Sequence, residues 1–254
     1  MGTAVVTGSA SGIGAAVCAR LRADGDRVIG IDLRDADLIC DLSTPEGRRS
    51  AVAGAVDAAG GALDRAVLCA GLGSHLEDLP LIASVNYFGA VEVLDGLFVA
   101  LQKGTDPAVV VVCSNSARMG AFDEHPFVAA LLEDDEPKAR EIIAQENGFL
   151  AYAGSKHALC RALRRRAMAW GEAGVRLNGV APGPVKTPLL QGTIDHPIYS
   201  KGFEALPIPV GRIADPAEIA SFVAVMLGPD ASFMHGSIVY IDGGNDAAMA
   251  PERF

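Results

Sequence analysis

The chain has no basic excess. Its 21 Lys and Arg stand against 31 Asp and Glu, a formal net charge of −10 over 254 residues. A surface of that sign repels phosphate backbones, so nucleic acid is not an expected partner. A single phosphate-bearing ligand stays open, because backbone N–H groups hold phosphate without lysine or arginine. Cysteines are few and unpaired. Cys18, Cys40, Cys69, Cys113 and Cys160 include no C-x-x-C, and the five histidines are scattered. Neither a disulfide framework nor a metal site is expected, and the thiols suit a reducing cytoplasm. No continuous apolar run of about 20 residues, the length of a bilayer span, is visible. The first apolar stretch, Thr3–Thr7, is too short for a signal core and runs straight into glycines. Repeats and linkers are lacking too. The expectation is a cytoplasmic chain with no membrane partner, folded as one domain over residues 1–254.

What is present is alternation. Strand-like runs at 4–7, Arg27–Asp32, 37–40, 66–70, 108–113, 175–180 and 237–241 are interleaved with helix-like runs. The helical runs are 13–23, 45–59, 80–103, 149–170 and Pro216–Leu227, with breaks possible at Gly89 and Gly96. Residues 109–112 are four consecutive valines, and strands that apolar are buried on both faces. The pattern predicts an α/β fold: a single Rossmann-type doubly wound domain with a parallel sheet. Residues 119–148 do not fit the alternation. They are far longer than the 2–6 residues such a junction needs, and read as a helical insertion before the next core helix.

Three local patterns point to chemistry. Thr7-Gly8-Ser9-Ala10-Ser11-Gly12-Ile13-Gly14 follows a strand and opens a helix, where glycines let a pyrophosphate approach the backbone. Asp32 ends the second strand, 18 positions after Gly14. A carboxylate there accepts hydrogen bonds from ribose hydroxyls and repels a 2′-phosphate, favouring NAD over NADP; Arg34 beside it would favour the phosphate. Tyr152 and Lys156 lie four apart on one helix face, and a neighbouring ammonium favours a phenolate.

In this order, the glycine loop, Asp32, Asn86, Ser114 and Tyr152-x-x-x-Lys156 resemble the short-chain dehydrogenase/reductase family. Asp41-Leu42, Ala70-Gly71, Pro182-Gly183-(x)3-Thr187 and Ile241-Asp242-Gly243-Gly244 extend the likeness along nearly the whole chain. The resemblance implies an NAD-dependent oxidoreductase interconverting an alcohol and a carbonyl. Tyr152 would exchange a proton with the substrate oxygen, and Ser114 would hydrogen-bond it, with Ser116 a nearby competitor. Lys156 would bind the nicotinamide ribose and lower the Tyr152 pKa. Asn86 would support a water-linked proton path. The cofactor would lie along Gly8, Ser11, Gly12, Ile13, Gly14, Asp32, Leu33, Asp41, Leu42, Ala70, Gly71, Tyr152, Lys156, Pro182, Gly183, Val185 and Thr187.

Two departures stand out. Cys69 occupies the place where the family usually has asparagine, so altered packing is expected there. Ser114 and Tyr152 are 38 positions apart, where the family commonly has about a dozen intervening residues; the insertion accounts for the difference. Segments around Asn86, Tyr152 and Trp170, and Ala121-Phe122-Asp123 within the insertion, are similar to the hydroxysteroid dehydrogenase/carbonyl reductase branch of the family. That implies a hydroxysteroid or other bulky carbonyl substrate. An aromatic, coniferyl-type alcohol is the alternative, and a non-catalytic dinucleotide sensor the alternative of another class. Residues 188–206 read either as a lid over the substrate or as an ordinary surface segment. The run Arg164-Arg165-Arg166 reads as a solvated helix face that could lie near the acidic insertion. A homodimer is expected, with a tetramer possible, because the insertion precedes the helix through which family members usually assemble.

Overall fold

The computed structural model describes residues 2–252. The strands are β1 (Thr3–Thr7), β2 (Arg27–Asp32), β3 (Leu38–Ile39), β4 (Arg65–Leu68), β5 (Ala108–Val112), β6 (Arg176–Pro182) and β7 (Ile238–Ile241). They form one sheet in the order β3-β2-β1-β4-β5-β6-β7. Every pairing is parallel. The four valines occupy the interior of β5, which is buried along its whole length. The order reverses between β1 and β4, which opens a crevice beyond the strand ends, where ligands bind in such sheets.

The helices are α1 (Gly12–Ala23), α2 (Pro45–Ala58), α3 (Leu79–Ala83), α4 (Ala90–Leu101), α5 (Pro126–Leu132), α6 (Glu136–Ile143), α7 (Gly148–Glu172), α8 (Pro188–Asp195), α9 (Tyr199–Glu204), α10 (Pro216–Leu227) and α11 (Asn245–Met249). Two apolar clusters cover the two faces of the sheet. One gathers α2, α4 and α7, and the other packs α1 against α10.

The long run expected at 80–103 is continuous but not uniform. A π-helical turn, Ser84–Gly89, joins α3 to α4. Leu79–Leu101 is therefore one helical stretch of 23 residues, long and apolar enough to span a bilayer. It is not a continuous apolar run, because Asn86, Glu92 and Asp95 interrupt it. In the fold, 67% of its most apolar window is buried, as a central core helix requires.

The insertion holds α5 and α6, and its apolar side chains Phe127, Leu131, Ala139 and Ile143 are fully buried in the α4–α7 cluster. It is also pinned by charge. Arg48 of α2, only 1% exposed, meets Glu136 of α6 through two hydrogen bonds of 2.7 and 2.8 Å and Glu92 of α4 at 2.7 Å. Arg140 of α6 donates to the Ser84 hydroxyl at 2.6 Å. The arginine triplet is not simply solvated. Arg166 holds both oxygens of Asp95 at 2.6 Å, and Arg165 donates to the Leu132 carbonyl that ends α5.

Candidate active site

The glycine loop owes its path to backbone that side chains cannot follow. Gly8 has φ +68°, and a Cβ there would lie 2.8 Å from the Ala70 nitrogen. A Cβ at Gly14 would fall 2.0 Å from the Gly8 carbonyl oxygen. The loop thus closes tightly against the end of β4. Thr7 completes that junction, its hydroxyl accepting from the backbone nitrogens of Cys69 and Ala70 at 3.1 and 3.2 Å. Cys69 itself is a packing thiol, pushed far above its ordinary pKa by burial. Ser11 precedes α1 without a side-chain cap, and the first turn carries no acidic residue. The helix N-terminus is left for an anion.

A cavity of about 650 Å³ runs from this loop to the end of β5. It is lined by Gly8, Ser11, Gly12, Ile13 and Gly14 from the loop, and by Asp32, Leu33, Asp41 and Leu42 beyond β2 and β3. Ala70, Gly71, Ser114, Tyr152, Lys156, Pro182, Gly183, Val185 and Thr187 continue the wall. Asp32 is held rigidly, its two oxygens accepting from the backbone nitrogens of Ala10 at 3.0 Å and Leu33 at 2.7 Å. Arg34 is exposed and does not line the cavity. The groups present fit a dinucleotide: a side-chain-free cradle, an uncapped helix end and an anchored carboxylate, in that order. Among the described residues no cluster of His, Cys, Asp or Glu suits a metal.

At the far end, Tyr152 and Lys156 project from one face of α7 toward the end of β5. Burial raises the Tyr152 pKa, a hydrogen bond from Ser114 opposes the rise, and Lys156 is not among the opposing influences. The Lys156 ammonium donates instead to the Val112 carbonyl at 2.9 Å, and its own pKa is lowered by burial. Ser116 also lines the cavity, and its hydroxyl donates to that of Ser114 at 2.9 Å. Both serines therefore remain candidates for holding the substrate oxygen.

Asn86 alone among the expected site residues does not line the cavity. It sits in the π turn, fully buried, and its amide grips Leu72: Oδ1 accepts from the Leu72 nitrogen at 2.7 Å and Nδ2 donates to the Leu72 carbonyl at 3.0 Å. The side chain is committed to holding the loop after β4. A Cβ on Gly71 would stand 3.4 Å from Asn86 Oδ1 and 3.5 Å from Lys156 Nζ. Asn86 and Lys156 thus brace the same glycine.

The remaining wall is apolar and was not predicted as a set. Leu72, Leu81, Val85, Met119 and Phe149 enter from the sheet side. Leu189, Leu190, Thr193, Tyr199, Gly202, Phe203 and Leu206 enter from the α8–α9 segment. Neither α8 nor α9 contains a buried residue, so this segment is cavity wall and not core.

Comparisons with known proteins agree with this architecture. Residues 2–130 match the short chain dehydrogenase family, and residues 138–246 match the pattern described as enoyl-(acyl carrier protein) reductase. The chain is 48% identical to a 3-alpha-hydroxysteroid dehydrogenase/carbonyl reductase of Comamonas testosteroni, covering 100% of both chains. It is 31% identical to a coniferyl-alcohol dehydrogenase of a Pseudomonas species, covering 94% of each. Among solved structures, the 3-alpha-hydroxysteroid dehydrogenase of Pseudomonas sp. B-0831 complexed with NADH superposes with a TM-score of 0.97 at 47% identity, covering 99% of this chain and 100% of that one. Sheet order, glycine loop and full-length similarity converge: the chain belongs to the short-chain dehydrogenase family.

Proposed function

We propose that this chain is an NAD-dependent oxidoreductase that interconverts a secondary alcohol and a ketone, acting on a hydroxysteroid or a carbonyl compound of similar bulk. The observation that carries the reading is that Ser114, Tyr152 and Lys156 line one cavity whose other end is the glycine loop. Gly8, Ser11, Gly12, Ile13 and Gly14 would take the pyrophosphate of NAD, and Asp32 with Leu33 its adenosine ribose. Asp41 and Leu42 would flank the adenine. Ala70, Gly71, Tyr152 and Lys156 would hold the riboses farther along, and Pro182, Gly183, Val185 and Thr187 the nicotinamide. Bound NAD supplies or accepts the hydride.

The protein's own part is proton handling. Burial keeps Tyr152 a phenol at neutral pH, the form that donates a proton to a carbonyl oxygen as it becomes a hydroxyl. The Ser114 hydroxyl fixes that oxygen beside the phenol. Asn86 acts one layer out, by holding Leu72 and thereby the Gly71 loop. The apolar wall from Leu81 to Phe203 excludes water and matches a bulky, largely apolar substrate. The similarity to two 3-alpha-hydroxysteroid dehydrogenases supports that substrate class.

The test is NADH absorbance with androsterone, bulky ketones and aromatic alcohols, offering NAD and NADP separately. NAD-linked oxidation of androsterone is expected, with NADP far poorer because Asp32 repels its extra phosphate. Turnover of the aromatic alcohols alone would replace the steroid reading with the coniferyl-type one. Silence across the panel would leave a dinucleotide sensor.

The assembly follows from what the insertion covers. α5 and α6 pack on α3 and α7, so those faces are taken. The β7 edge stays half-buried, beside the exposed Phe233, Met168 and Val225. A homodimer through this edge is expected, and all five thiols are free, as suits the cytoplasm. Light scattering should give twice the chain mass; a monomer would reject the dimer.

A further inference from the structure

Asn245 is fully buried and takes no part in the chemistry above. Its amide joins two parts of the cavity wall that are distant in sequence. Oδ1 accepts from Asn115 Nδ2 at 2.9 Å, and Nδ2 donates to the Pro207 carbonyl at 2.7 Å. Asn115 directly follows Ser114. Pro207 directly follows Leu206, the last cavity residue of the α8–α9 segment.

The turn that carries Asn245 is shaped for this contact. Gly243 and Gly244 have φ of +66° and +87°. A Cβ on them would lie 3.0 Å from Ile208 Cγ2 and 3.1 Å from Pro209 Cγ respectively. The Val210 nitrogen donates to the Gly243 carbonyl at 3.1 Å. The Asp242 carboxylate closes the turn, accepting from the nitrogens of Gly244 and Asp246 at 3.0 and 2.7 Å. On its other side Asp246 accepts from Arg118 at 3.1 Å, in the 3-10 turn Asn115–Arg118 that follows Ser114. The C-terminal turn therefore touches both the exit of the α8–α9 segment and the turn after the serine, and Asn245 is the buried link between them.

We propose that Asn245 is a positioning residue that clamps the base of the α8–α9 segment to the Ser114–Asn115 turn, so that seating of that segment over substrate and the aim of the Ser114 hydroxyl are set together. The second half rests on the dehydrogenase reading of Ser114; the clamp itself does not.

Two substitutions separate the arms. Asn245→Asp keeps the shape and the acceptor for Asn115 and, once ionised at alkaline pH, cannot donate to the Pro207 carbonyl. Asn115→Ala removes only the serine arm. Trypsin cleavage after Lys201, exposed in α9, reports opening of the segment without any turnover. Asn245→Asp should speed that cleavage roughly two- to tenfold, the equilibrium worth of one net hydrogen bond, and raise KM for a bulky ketone more than it lowers kcat. Asn115→Ala should lower kcat and leave Lys201 cleavage at the wild-type rate. Wild-type cleavage in Asn245→Asp would overturn the clamp. So would a parallel loss of kcat, KM and Tm in both variants, which marks a merely structural pair. If the wild-type chain reduced no ketone, the dehydrogenase reading alone would fall, and Lys201 cleavage would still decide the clamp.

Discussion

Tyr152→Phe is expected to lower kcat by about 10²–10⁴-fold, the usual worth of a positioned acid–base group. Phenylalanine keeps the ring and its packing on α7 and deletes only the oxygen. NADH binding, followed by calorimetry, should therefore hold at the wild-type level. Turnover near wild type would remove Tyr152 from the mechanism. The pH dependence carries a sign that follows from burial. Because the Tyr152 pKa lies above its ordinary value, the phenolate needed for alcohol oxidation is scarce at neutral pH. Oxidation should accelerate as pH rises, while ketone reduction, which uses the phenol, should not.

Arg48→Met should cost about 3–5 kcal/mol of stability, read from urea unfolding, because it breaks a buried pair by removing one partner. The guanidinium serves the carbonyls of Leu42, Ser43 and Ser84 as well as Glu92 and Glu136. All of them lose that donor at once. Methionine fills part of the volume but supplies no hydrogen. A loss below about 1 kcal/mol, the worth of an exposed pair, would mean that water replaces the arginine.

The acid dependence gives a second reading of the same variant. Burial tends to raise the Glu136 pKa, but hydrogen bonds from Arg48 and Ser84 and the charges of Arg48 and Arg140 hold it below the ordinary value. A depressed folded pKa stabilises above the unfolded value, about 4.3 for Glu, and that increment is lost as pH falls through the folded one. The gap between wild type and Arg48→Met should therefore narrow on acidification below about pH 4.

Local chemistry was readable from sequence; long-range pairing was not. The glycine loop announces itself because φ > 0 and close approach demand glycine at particular spacings. Tyr152 and Lys156 share a face by helix geometry alone. The strand at 108–113 is legible because a strand buried on both faces reads as a continuous apolar run. The π turn left no trace, since Ser84-Val85-Asn86-Tyr87-Phe88-Gly89 is as apolar and periodic as the helix around it. Asn86 was found by resemblance, yet its engagement with Leu72 could not be. Arg48 with Glu136 and Asn115 with Asn245 are 88 and 130 positions apart, and nothing local marks either partner as buried. The arginine triplet was half legible: Arg165 does reach the insertion at Leu132, but the pairing of Arg166 with Asp95 on another helix left no local mark.

The insertion behaves less like an ornament than like a keystone. Ser84 opens the π turn that presents Asn86, and both of its oxygens are held from outside. Its carbonyl accepts from Arg48 at 3.2 Å, and its hydroxyl accepts from Arg140 at 2.6 Å. Arg140 belongs to α6, and Arg48 is oriented by Glu136 of the same helix. Anyone trimming this scaffold, or grafting its pocket onto a shorter one, would leave one guanidinium missing and the other unanchored beneath the loop that shapes the cofactor channel. The segment has thus become something the rest of the molecule leans on: an addition by length, but no longer removable by design without rebuilding the turn it supports.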